Sequence, residues 1–147
     1  MSNDREFKVN TARDALALLT HKVYARYGRE ALDIIGDVWH KLGRSIGEKM
    51  KKNLPDTSLA TVGQLFIDYG RKQGEKIDML ELNEKRLHAK GYRCPLGLKG
   101  KGRDLCMACM ECDKGILEAA TENSLTMDII TTVADDDDCC EGIIELK

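Results

Sequence analysis

Aromatic residues are scarce in this chain: one Trp, four Tyr and two Phe among 147 residues. Tyr92 is the one aromatic inside the most basic stretch, residues 85–103. That argues against a nucleic-acid surface built on base stacking. Charge of one sign is also lacking. A net charge of −2 gives no global field to draw in a polyanion. No apolar run nears the roughly 18–20 residues that cross a bilayer. The opening MSNDREFKVN is polar and charged, without the apolar segment of a secretory signal. The expectation is a cytoplasmic protein with no membrane or nucleic-acid partner. Phosphate-cradling loops are missing too: there is neither a P-loop nor G-x-G-x-x-G. His21, His40 and His88 are scattered without ligand spacing, and no Ser/His/Asp order stands out. The acidic run Asp135–Asp138 lacks the glycine and glutamate of an EF-hand loop, so it reads as a solvated turn.

What the chain does hold is periodicity. Its length suits one domain, residues 1–147, with one core. Asn10 or Thr11 can cap a first helix ending near Gly28, with Ala12, Leu16, Leu19, Val23 and Tyr27 on one stripe. A second helix spans residues 29–52, its stripe being Ile35, Val38, Trp39, Leu42, Ile46 and Met50. Gly36, Gly43 and Gly47 weaken that helix, which points to close backbone contact with a neighbouring helix or with another subunit of a homodimer. Asn53-Leu54-Pro55 breaks the pattern. A third helix restarts at Asp56, Thr57 or Ser58, with Leu59, Val62, Leu65, Phe66 and Tyr69 inward, and ends at Gly70 or Gly74. Alternation then replaces the helical period. Residues 77–82 and 86–92 read as a hairpin turning at Asn83-Glu84. A glycine-rich basic loop follows, residues 95–103. Asp104 can cap a fourth helix over residues 105–121. Residues 125–133 and 139–146 make a second hairpin. The fold class is α+β: N-terminal helices packed on an antiparallel sheet, with one helix between two hairpins.

The chemistry is concentrated in the cysteines. Cys94, Cys106, Cys109 and Cys112 follow the pattern C-P-x10-C-x2-C-x2-C, and Cys139 and Cys140 open the final strand. On a helix, Cys106, Cys109, Cys112 and Asp113 fall within an arc of about 120°, and Ile116 and Ala120 continue that face. The thiols therefore point inward near a helix N-terminus, where the partial positive charge favours thiolate. Strand alternation groups Cys140 with Gly142, Ile144 and Leu146, so it reads as buried, while Cys139 goes with Glu141 and Glu145. In a reducing compartment such clustering points to metal or thiol chemistry more than to disulfides. Bacterial ferredoxins use C-x2-C-x2-C with a remote Cys-Pro for an iron–sulfur cluster. Four thiolates also suit a closed zinc site. Thiol catalysis and an inert cysteine-rich core stay open beside these.

The Cys94-Pro95 pair, the segment LCMACMECDKGI and the acidic turn with its late cysteine strand, DDDDCCEGIIEL, together resemble the L-2-amino-thiazoline-4-carboxylic acid hydrolase family, over residues 10–146. The architecture is also similar to 4-vinyl reductase ligand-binding domains. The resemblance implies a site at Cys94, at Cys106 or Cys109, at Asp113, and at Cys139 or Cys140. It implies attack of water on the amidine carbon of a 2-aminothiazoline ring. Metal or the Cys109 thiolate would activate the attack, and Asp113 would move a proton. Arg93 or Arg103 would hold the substrate carboxylate by a fork. The expectation drawn from all of this is a metal or iron–sulfur domain, ligated by Cys94, Cys106, Cys109, Cys112 and Cys140, that binds or senses a small anionic molecule. The hydrolase is the alternative.

Overall fold

A computed structural model describes residues 7–147. Its helices are α1 (Ala12–Tyr27), α2 (Leu32–Lys51), α3 (Leu59–Lys72) and α4 (Arg103–Thr121). Its strands are β1 (Ile77–Leu82), β2 (Arg86–Gly91), β3 (Leu125–Thr131) and β4 (Cys140–Leu146). The class is α+β, with the helices N-terminal and the sheet antiparallel throughout, as the sequence pattern indicates.

Local chemistry starts the helices. The Thr11 hydroxyl accepts from the Asp14 backbone N–H while the Asp14 carboxylate accepts from the Thr11 N–H, a reciprocal capping box. Ser58 caps α3 by accepting from Thr61 N–H. Gly28, at φ +63°, ends α1, and a single 3-10 turn leads into α2.

The sheet order is β1-β2-β4-β3. Each hairpin is local, but β4 also pairs with β2, matching Leu87 to Ile144 and Gly91 to Cys140. This long-range pairing brings the cysteine strand beside the loop that leaves β2. A bulge at Leu80 shifts the β1 register between Met79 and Glu81, so that Leu82 pairs with Leu87 on the helix-facing side. Leu80 itself is exposed.

The most extensive helix packing is α2 on α4. A Cβ on Gly43 would lie 2.0 Å from the Cys112 carbonyl oxygen, and one on Gly47 2.3 Å from that of Ile116. Gly115 of α4 returns the contact, 2.6 Å from the His40 carbonyl oxygen. The α2 glycines therefore serve an intramolecular helix crossing, the first of the two contacts their spacing allowed. Trp39 is fully buried and donates its indole N–H to the Thr20 hydroxyl at 3.0 Å, which ties α1 to α2. Leu105, Leu117 and Leu125 are also fully buried. Each such side chain contributes about 1.5–3 kcal/mol.

Some expected stripe residues lie outside. Leu19 and Tyr27 of α1, Val38 and Ile46 of α2, and Tyr69 of α3 are exposed, because the covering elements are narrower than the apolar arcs. The third strand ends at Thr131, two residues before its expected limit, where Thr132 begins a tight turn over Val133–Asp135. The helix expected from residue 105 begins at Arg103, and Asp104 does not cap it.

Candidate functional site

Three chain segments meet around the N-terminal half of α4. The first is the turn Cys94-Pro95-Leu96-Gly97, closed by Gly97 N–H donating to the Cys94 carbonyl at 3.2 Å. Pro95 presets one φ of this turn, and Gly97 takes φ +70°. The backbone N–H groups of Leu98, Leu96 and Gly97 favour the thiolate form of Cys94. Leu96 and Leu98 are buried, and the His21 ring nitrogen Nε2 lies 2.7 Å from the Leu96 carbonyl. These contacts fix the turn against α1 and the core.

The second segment is the turn after β3. The Thr132 hydroxyl donates to the Cys106 sulfur at 3.2 Å and lies 4.0 Å from the Cys140 sulfur. Val133 N–H donates to the Cys140 sulfur at 3.4 Å. The aspartate run is exposed, and two of its members organise this turn. The Asp137 carboxylate accepts from Thr132 N–H at 3.0 Å. Asp135 accepts from Arg103 N–H at 2.9 Å, so it caps α4 from a distant loop. Gly100 and Gly102 N–H donate to the carbonyls of Val133 and Ala134, which joins the two loops.

The third segment is α4. Cys106, Cys109 and Cys112 are buried, as is the Ile116 and Ala120 continuation of their face. Burial pushes the Cys106 thiol up, with Cys140 and Cys94 adding to the shift and the Thr132 hydroxyl opposing it. Cys109 is driven higher still by burial, then by Cys106 and Cys94. Cys94 is raised by burial, and its three backbone N–H groups oppose the shift. The helix N-terminus was expected to favour thiolates here, but desolvation outweighs it.

Cys94, Cys106 and Cys140 lie within electrostatic range of one another, and Cys109 lies within range of Cys106, Cys94 and Cys112. Cys112 thus meets the group at Cys109. Burial raises it to about 12, followed by the Asp113 carboxylate, and Arg13 opposes. Cys139 forms its contact with Thr131, whose hydroxyl donates to the Cys139 carbonyl at 3.0 Å. Asp113 is lifted to about 6 by burial, and Arg13 of α1 is the charge that opposes the shift.

The two arginines assigned to an anionic ligand are otherwise engaged. Arg103 donates to Asp135 and to the Ile129 and Ile130 carbonyls. Arg93 pairs with Glu75. A groove of about 500 Å³ lies between α2 and α4, lined by Leu32, Gly36, His40, Met107 and Ala108 together with Asp33, Asp37, Asp104 and Glu111. Its carboxylates favour a cation over an anion.

Among the described residues, no three His, Cys, Asp or Glu side chains converge closely enough to hold a metal ion. Thiols are the donor type that soft metals take, and the Val133 N–H donates to the Cys140 sulfur. Sequence spacing did not reveal Thr132, the Val133 N–H or Arg13. Thr132 sits 26 residues from its thiol partner, and no local motif connects them.

No helix among the described residues is long and apolar enough to cross a membrane. No protein-family model matches the chain, and no curated protein matches it by sequence. Solved structures do match in fold. The phenol-responsive sensory domain of the transcription activator PoxR, solved with phenol, superposes with a TM-score of 0.65 at 12% identity, over 95% of this chain and 76% of that one. An H-NOX protein from S. oneidensis in the Fe(II)NO ligation state gives 0.58 at 16% identity, over 95% and 78%. A trafficking protein particle complex subunit 3 from Naegleria fowleri, covalently bound to palmitic acid, gives 0.51 at 12% identity, over 91% and 94%. At these identities the likeness establishes the fold.

Proposed function

We propose that this chain is a ligand-binding sensory domain in which Cys94, Cys106, Cys109 and Cys140 form a soft-metal-holding element. The observation that supports the reading is that Cys94, Cys106 and Cys140, from three segments, lie within electrostatic range of one another, that Cys109 lies within range of Cys94 and Cys106, and that donors reach the Cys106 and Cys140 sulfurs. The similar folds support the sensory part, since they include a phenol-responsive sensory domain and an H-NOX protein in an Fe(II)NO ligation state. Zinc or an iron–sulfur cluster held by these cysteines would tie the Cys94 turn, α4 and β4 together. Ligation by Cys94, Cys106 and Cys109 would have to displace their protons, so loading would be pH-dependent. The anionic-ligand expectation has weaker support, since Arg93 and Arg103 already have carboxylate partners. The hydrolase reading is weakened by the same pairing.

The test is metal and acid-labile sulfide analysis with an absorption spectrum, on protein purified without oxygen. Bound zinc, or iron with sulfide, is expected at one site per chain. It should be lost in Cys106→Ser and Cys140→Ser and kept in Cys112→Ser. Metal-free protein whose thiols all titrate freely would overturn the metal reading. Loss of metal in Cys112→Ser alone would overturn the ligand assignment.

A further inference from the structure

The α2 helix has two apolar faces, and the fold covers one of them. Gly43 and Gly47 face α4, and Ile35 and Trp39 face the core. Ile34 and Val38 point elsewhere. Ile34 is 67% exposed, more than any other large apolar side chain among the described residues, and Val38 is 43% exposed. Leu42, half-buried where it packs on the core, ends the row, and the three span an arc of about 80° along the helix. Isolated exposed apolar side chains are ordinary, but an aligned row on one helix is the form an interface takes.

The charges beside this row identify the occupant. Within α2 the first charges are acidic, Asp33 and Asp37. From Lys41 on they are Lys41, Arg44, Lys49 and Lys51 against one acidic residue, Glu48. Asp33, Asp37, Lys41 and Arg44 share one flank of the row, since they fall within about 80° of each other. In an antiparallel helix pair related by a two-fold axis, like flanks meet in reverse order. With the axis at Val38, Val38 meets its own copy and Ile34 meets Leu42. Asp33 then lies alongside Arg44 of the second copy, and Asp37 alongside Lys41.

We propose that the Ile34–Val38–Leu42 face of α2 is the interface of a homodimer, with the two α2 helices antiparallel. The face lies away from the cysteine group, so the dimer does not depend on whether metal binds. The glycine face, already filled by α4, takes no part.

Sedimentation velocity over a wide concentration range tests this on the full chain. Wild-type protein is expected to associate to a dimer. Ile34→Glu and Val38→Glu should each weaken association about tenfold or more, with melting temperature and circular dichroism of the monomer unchanged. Asp37→Lys and Lys41→Asp should each weaken self-association. Mixing those two variants should restore dimers, because each then supplies the charge that the other needs. Intramolecular effects cannot produce that restoration. A wild-type monomer at all concentrations would overturn the proposal. So would a dimer indifferent to Ile34→Glu, or failure of the mixed variants to pair.

Discussion

The Thr132 hydroxyl donates to the Cys106 sulfur at 3.2 Å while it accepts the Ala134 N–H at 3.1 Å. One buried side chain thereby links the turn after β3 to α4 and closes its own turn.

Thr132→Val keeps the shape and removes both bonds. The Ala134 N–H loses its acceptor, and about 1–3 kcal/mol of stability should be lost. Chemical denaturation of the metal-free protein measures this. A change below about 0.5 kcal/mol would mean that the hydroxyl has little structural role.

The glycines of α2 give a paired prediction. Gly43→Ala puts a methyl group 2.0 Å from the Cys112 carbonyl oxygen, a contact that only backbone separation relieves. The expected loss is about 3 kcal/mol or more. At Gly36 the nearest atom to a new Cβ is the Glu111 Cγ at 3.6 Å, which is ordinary contact. Gly36→Ala should be neutral or stabilising by up to about 1 kcal/mol from helix propensity. Melting temperatures of the two variants should shift in opposite directions, or the second not at all.

Asp113 sets a pH dependence. Its folded-state pKa is raised to about 6, while an unfolded aspartate titrates near its ordinary value. Between these two values the folded state holds a proton that the unfolded chain has released. Stability from this group is complete below the unfolded value and is lost as pH rises through about 6. Asp113→Asn should flatten the stability profile across that window and stabilise the protein at neutral pH. An unchanged profile would show that Arg13 neutralises the carboxylate.

Thiol labelling should follow burial. At neutral pH, Cys109 and Cys112 are protonated and nearly inaccessible. Cys139 and Cys140 are partly exposed. Iodoacetamide on metal-free native protein should reach the Cys139–Cys140 pair first and Cys109 last, as read by mass spectrometry of digests. Early modification of Cys109 would mean that α4 opens readily.

Much of the architecture was legible because it is written in short-range pattern. The capping box at Thr11, the Ser58 cap and the alternation in both hairpins each act within a few residues. Three-residue spacing alone placed Cys106, Cys109 and Cys112 on the inward face of α4. Proton affinity was read the wrong way. A helix terminus is visible in sequence, but the desolvation that outweighs it depends on what packs above the helix. The acidic run is an exposed turn, as its composition indicates, but its contacts with the Arg103 N–H and Thr132 N–H were not legible, because these partners come from tertiary packing and turn geometry.

The sequence by itself determined the elements, their class and the inward set of α4 cysteines, because periodicity and caps are local properties of the chain. Tertiary structure alone decided that β4 inserts beside β2, since that pairing joins residues some fifty positions apart. The insertion brings Cys140 and Thr132 to Cys106. It also decides which thiols come near one another.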